Sequence, residues 1–225
     1  MIKGVIFDMD GLLIDTERLS LSCWRRALGE AGLPFIPEII TDCRGTGHEE
    51  SKKAFDKHLK GYDADFDALA LRAKELMTEA ILEEGLHPKV GVFTVLRRLR
   101  ELGYKLALAT STSEQTATRY MKTLDIFDAF DVRVYGNMFK RYKPAPDIFI
   151  KACKLLDFAP ADCLVLEDSP NGLKAAHAAG AKPMMIPDLT DPTADLLPIL
   201  YAQGATLLDV LLVLEDDRAG KESLL

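Results

Sequence analysis

The sequence predicts an α/β protein built on a doubly wound parallel sheet, with a helical domain inserted after the first strand. Five short apolar runs, at residues 4–7, 106–109, 132–135, 164–166 and 184–186, are continuous instead of alternating, as strands buried on both faces are. Segments with helical periodicity separate the later runs, and strand-helix alternation implies parallel strands joined by crossovers. From Thr16 to about Glu84 the alternation stops and only helical patterns remain.

In chain order, the first run ends at Phe7 and leads into Asp8-Met9-Asp10-Gly11. The inserted segment opens with a helix carrying Leu19, Cys23, Trp24, Ala27, Leu28 and Ala31 on one stripe, and a later helix carries Phe66, Leu69, Ala73, Leu76, Met77, Ala80 and Ile81. Trp24 and Met77 read as core on this spacing. Turn-rich stretches at 32–37 and 44–47 divide the segment. A helix over 92–102 then precedes the second strand, Ser113 caps the next helix, and Pro146 opens another carrying Ile148, Phe149, Ala152, Leu155 and Leu156. Residues 216–225 read as a frayed polar tail. The predicted division is a core of 1–15 with 87–225 and a helical domain of 16–86.

Composition fits a packed globular chain, with 48% hydrophobic and 28% charged residues among 225. A net charge of -7 disfavours nucleic acid and anionic membranes, which would be repelled at long range. The basic run at Arg97, Arg98 and Arg100 falls on the polar face of a helical pattern. The four cysteines form no Cys-x-x-Cys pair and the four histidines no zinc spacing. No apolar stretch suits a signal peptide or a membrane span, so the expectation is a cytoplasmic protein, and a monomer.

In a parallel sheet the ligand crevice lies beyond the carboxyl ends of the strands. The residues that follow the apolar runs are Asp8 and Asp10, then Thr110 and Ser111, then Glu167 and Asp168; Lys143 lies in the loop after the third run. Each alone has a bland explanation as a turn, cap or loop residue. Together, several carboxylates at one sheet edge repel one another unless a cation neutralises them, and magnesium suits an all-oxygen set. Thr110 and Lys143 would then offer a hydroxyl and a positive charge to phosphate oxygens.

Asp8-Met9-Asp10-Gly11, Thr110, Lys143-Pro144 and Glu167-Asp168 resemble, in order, the four motifs of the haloacid dehalogenase superfamily. Residues 12–17, 143–149 and 166–172 resemble its branch of beta-phosphoglucomutases and small sugar phosphatases, in which the insert is a helical cap. The resemblance implies that Asp8 is a nucleophile forming an aspartyl phosphate and that Asp10 is the general acid and base. It also implies that Thr110, Ser111 and Lys143 hold the phosphoryl group. Asp8, Asp10 through its carbonyl, and Asp168 would bind Mg2+, with Glu167 as a ligand or behind one.

Asp10 favours a phosphate ester, since dehalogenases and phosphonate-cleaving members lack that acid. Mutases of the branch carry a histidine shortly after the first loop and an arginine beyond the cap loop; here Ser20 and His48 stand at those places. Histidine cannot reproduce arginine's charged fork, so a phosphatase of a small phosphorylated metabolite is expected ahead of a phosphomutase. Arg44 and His48 are candidates for cap specificity. A non-catalytic phospho-accepting signalling domain is the alternative from another class, disfavoured by motif order and by the long insert.

Overall fold

The computed structural model describes residues 1–43 and 46–221. Six strands, β1 (Gly4–Phe7), β2 (Lys105–Thr110), β3 (Val132–Tyr135), β4 (Cys163–Glu167), β5 (Lys182–Met185) and β6 (Ala202–Gln203), form one sheet. Their order is β3-β2-β1-β4-β5-β6 and every pairing is parallel. The chain runs outward in one direction from β1 to β3 and in the other from β4 to β6, so the topological switch point lies between β1 and β4. Phe7 is in register with Leu108 and Leu166, which brings Asp8, Thr110 and Glu167 out at the same edge.

Side chains along β1 alternate, and both faces are covered. Val5 and Phe7, with Leu106, Leu108, Leu164 and Leu166, pack under α5 (Val92–Glu101), α6 (Glu114–Thr123) and α9 (Asp209–Arg218). Ile6, Ala107, Ala109 and Val165 face α7 (Asp147–Leu156) and α8 (Pro170–Ala178). Val5, Ile6 and Phe7 are fully buried, which explains why the run has no polar alternation; each such side chain contributes roughly 1.5–3 kcal/mol.

Between β1 and α5 the described residues form four helices, α1 (Thr16–Glu30), α2 (Pro37–Cys43), α3 (His48–His58) and α4 (Phe66–Glu84). Cys23 and Ala27 of α1 meet Ala73 and Leu76 of α4, and the small side chains of Cys23, Ala27 and Ala73 let the two axes approach. A second cluster joins Leu28, Ile39, Phe55, Phe66 and Leu69, with the Trp24 ring 4.8 Å from Phe55 and 6.1 Å from Phe66 between centroids. The Asp65 carboxylate caps α4 by accepting from Asp67 N and Ala68 N. The two connections to this helical segment run side by side: Asp15 N donates to His87 O at 2.9 Å and Lys89 N to Leu13 O at 3.0 Å.

Two expectations need correction at the carboxyl end. The strand β6 is additional, held by only two residues in register with Met184 and Met185. Residues 216–218 are not tail but the last turn of α9. There Asp217 accepts from Ile2 N at 2.6 Å, Lys182 Nζ at 3.2 Å and Tyr201 Oη at 3.2 Å. Residues 222–225 lie outside the described residues, as does Arg44. Among the described residues no helix is long and apolar enough to cross a membrane.

Candidate active site

Past Phe7 the chain turns sharply over Gly11, whose φ of +78° is a conformation that glycine adopts without strain. Gly11 N donates to Ile14 O and Asp8 N to Leu166 O, which fixes the loop to the sheet. A Cβ on Gly11 would overlap the Asp168 carboxylate, so the glycine also lets the first and fourth strand tips approach. Gly172 does the same for Glu167, whose carboxylate occupies the space a Cβ there would need. Gly136 brings the end of β3 against the Ser111 backbone, and its N–H donates to Thr112 O at 3.1 Å.

Among the described residues Lys143 is the one cation in this group, with 1% of its side chain exposed. Its ammonium donates to Asp8 Oδ1 and, at 2.6 Å, to Glu167 Oε1, and lies 5.0 Å from the Phe149 ring centroid. Burial opposes its charge, yet Asp8 and Glu167 outweigh burial and hold its pKa above the ordinary lysine value. Burial pushes the Asp8 carboxyl up; Lys143 pulls it back, while Glu167 and Asp10 add to the rise. One lysine does not balance the carboxylates gathered here.

One carboxylate oxygen from each of Asp8, Glu167 and Asp168 lies within 4.8 Å of the others. This all-oxygen set, drawn together by the missing Cβ of Gly11, suits a hard divalent cation. Glu167 is engaged elsewhere as well: its Oε2 accepts from Asp168 N and Ser169 N at 3.1 Å and from Ser169 Oγ at 2.9 Å.

Asp10 is bound differently. Thr16 Oγ1 donates to its Oδ1 and Thr112 Oγ1 to its Oδ2, both at 2.7 Å, with Thr110 Oγ1 at 3.4 Å. Thr110 is fully buried, and its hydroxyl accepts from Thr112 N, so Ser111 and Thr112 face the cavity in its place. That cavity has a volume of about 260 Å3 and is walled by Asp8, Asp10, Ser111, Lys143 and Asp168 below and by Glu17, Ser20, Thr46 and Met77 of the helical segment above. Met77, expected only as core, thus also faces the cavity.

Sequence reasoning missed Thr16, Thr112 and Ser169. Thr112 carried a signal, since it stands two residues beyond Thr110 at the end of a strand. Thr16 carried none, because its role depends on how α1 returns to the loop. His48 does not wall this cavity but borders an adjoining hollow that shares Glu17, Ser20 and Thr46 with it; its Nε2 is 2.8 Å from Asp67 Oδ1 and its ring meets Phe66 edge-on at 5.1 Å.

Residues 5–186 match the family model described as haloacid dehalogenase-like hydrolase. The chain belongs to this family. Among curated relatives, a phosphorylated carbohydrates phosphatase of Thermotoga maritima is 33% identical over 180 residues, 79% of this chain and 82% of the relative. A beta-phosphoglucomutase of Bacillus subtilis is 29% identical over 215 residues, 87% and 93% of the two chains. The crystal structure of CbbY from Rhodobacter sphaeroides in complex with phosphate shares 25% identity and a TM-score of 0.75, covering 93% of this chain and 96% of that one. Within the haloacid dehalogenase-like hydrolases the chain therefore sits with the beta-phosphoglucomutase-like and sugar phosphatase members, and the parallel sheet is the fold it shares with them.

Proposed function

We propose that the chain is a magnesium-dependent phosphatase that hydrolyses small phosphorylated metabolites, sugar phosphates among them, through a phosphoaspartate at Asp8. The observation that carries this reading is the buried Asp8 carboxylate at the tip of β1, held by Lys143, with Asp10 two residues on in the same cavity. The names of the curated relatives, a phosphatase of phosphorylated carbohydrates among them, support the substrate class.

In the first step an Asp8 oxygen attacks phosphorus, the bond from phosphorus to the ester oxygen breaks, and Asp10 gives that oxygen its proton. In the second, Asp10 as carboxylate takes a proton from water, whose oxygen attacks the same phosphorus and frees Asp8 and inorganic phosphate. Lys143 and Ser111 orient the phosphoryl oxygens. Asp8, Asp168 and the Asp10 carbonyl would hold magnesium, with Glu167 behind them, and the ion when bound supplies the countercharge that Lys143 alone does not.

Residues 16–86 act as a cap over a core of 1–15 and 87–225, hinging where the connections at 13–15 and 87–89 run side by side. Closure excludes bulk water and limits the substrate to small esters. Hydrolysis is preferred to intramolecular transfer because His48, at the place of the mutase arginine, is paired with Asp67.

The test is a panel of phosphate esters with magnesium, read as inorganic phosphate. Release is expected from the parent protein, reversible loss with EDTA, and none from Asp8→Asn. Turnover that survives Asp8→Asn refutes the mechanism, and positional transfer within a sugar phosphate without release assigns the protein to the mutases.

A further inference from the structure

A second and larger cavity, of about 340 Å3, adjoins the first, and both are bordered by Asp10, Ser20, Met77 and Thr112. If phosphorus reacts at Asp8 and the ester oxygen is protonated by Asp10, the rest of the substrate must extend beyond Asp10. The second cavity begins at Asp10, whereas the neighbouring hollow on the His48 side does not reach that residue.

This second cavity lies between the helical segment and the core. Trp24 and Ala73 form one wall, and Thr116 and Tyr120 of α6 the other. Two basic side chains complete it from opposite walls, Lys74 of α4 and Arg119 of α6. The Arg119 guanidinium carbon lies 5.3 Å from the Tyr120 ring centroid, which gives the side chain a platform. Among the described residues neither Lys74 nor Arg119 forms an ion pair. Nearby Arg72, on the same helix as Lys74, is held by Glu30 at 2.7 Å and Glu75 at 3.2 Å. Among the described residues Asp10 is the sole carboxylate in the wall, and it is engaged by threonine hydroxyls. In a chain of net charge -7, a cavity with two unpaired cations is locally suited to an anion.

We propose that this cavity receives the leaving-group end of the substrate, and that this end carries a second acidic group, a carboxylate or a phosphate, bound by Lys74 and Arg119. The preferred substrate is then an acidic phosphate ester and not a neutral sugar phosphate. The proposal rests on the phosphatase reading above and adds to it where the far end of the substrate lies and what charge it bears.

Three linear esters that differ only at the far carbon test it: sorbitol 6-phosphate with a neutral hydroxymethyl group, 6-phosphogluconate with a carboxylate, and sorbitol 1,6-bisphosphate with a phosphate. Each charged hydrogen bond is worth about tenfold or more in affinity, so kcat/KM for one acidic ester should exceed that of the neutral one by at least about tenfold. Which acidic ester leads identifies the group. In Lys74→Gln/Arg119→Gln the ratio should fall toward one, chiefly through KM for the acidic ester. A ratio taken within one preparation is insensitive to partial misfolding. Equal use of the three esters by the parent, or a preference that survives the double substitution, overturns the subsite. Failure to release phosphate from any ester, p-nitrophenyl phosphate included, overturns the catalytic reading and the subsite with it, whereas release from p-nitrophenyl phosphate without acidic preference overturns the subsite alone.

Discussion

Lys143→Met removes the single buried cation of the site while keeping a side chain of similar length against Phe149. Lys143 Nζ serves both Asp8 and Glu167, and both carboxylates are buried, so the substitution leaves two anions without their partner. Breaking a buried pair by removing one member costs about 3–5 kcal/mol. The cost depends on pH, because the stranded carboxyls can neutralise themselves by binding protons. Losing Lys143 removes the influence that lowers the Asp8 pKa, so the folded-state value rises further above the unfolded one. A raised carboxyl pKa gives stability that is present below the unfolded value and lost as pH rises through the folded value. The deficit of the variant should therefore widen as pH rises from about 7 to about 9, across the value of about 8 to which the parent's Asp8 carboxyl is raised, because there the parent ionises and the variant does not. Urea unfolding in EDTA at both pH values measures it by linear extrapolation. A loss below about 1 kcal/mol at the higher pH, or one that grows as pH falls, would refute the idea that Lys143 balances these carboxylates. The same variant should lose about 100- to 1,000-fold in kcat, the usual result of deleting one preorganised electrostatic contact.

Magnesium at about 100 times its dissociation constant should stabilise the parent protein by about 2.7 kcal/mol, a rise in Tm of roughly 5–10 °C, and Asp168→Asn should abolish most of that rise. An unchanged shift in the variant would remove Asp168 from the metal site. Gly172→Ala should expel the Glu167 carboxylate from the place it shares with the new Cβ, costing about 3 kcal/mol or more and nearly all turnover; wild-type stability on urea unfolding would contradict the packing. Asp217→Asn should cost about 1–3 kcal/mol at neutral pH, because the carboxylate ties Ile2, Lys182 and Tyr201 to α9. Burial opposes the Asp217 charge, but its donors outweigh burial and hold its pKa below the ordinary 3.8. This stabilisation is present above that value and lost as pH falls through the folded one, so the two proteins should converge in acid; a constant gap would show that the charge is not involved.

The parallel sheet was legible because β1, β2 and β4 are buried on both faces, and a strand covered twice is apolar at every position. The places where functional side chains emerge were legible for the same reason, since each apolar run ends where the crevice begins. β6 was not, because two residues carry no periodicity and Ala202 and Gln203 are strand only by pairing with β5. The end of α9 was misread because Asp216 and Asp217 look like tail residues until Asp217 meets Ile2, 215 positions away in the chain. Within the site, the grouping of Asp8, Lys143, Glu167 and Asp168 followed from topology. The displacement of the Thr110 hydroxyl toward Asp10 did not, because it depends on which rotamer the neighbouring Thr112 amide can reach.

The carboxylates of the site differ in the chemistry of their hydrogen-bond partners, and that difference separates their roles. Glu167 is held by an ammonium, two backbone N–H groups and the Ser169 hydroxyl, whose own oxygen already accepts from Gly172 N. Amide and ammonium groups only donate, so these contacts all use Glu167 as an acceptor. Asp10 is held by the hydroxyls of Thr16 and Thr112, which can donate to a carboxylate or turn to accept from a carboxylic acid. Asp10 can therefore gain or lose a proton without stranding a partner, as a group that is acid in one step and base in the next must. The partners of Asp10 thus support its assignment to proton transfer, and those of Glu167 support a positioning role that holds Lys143 in place beside Asp8.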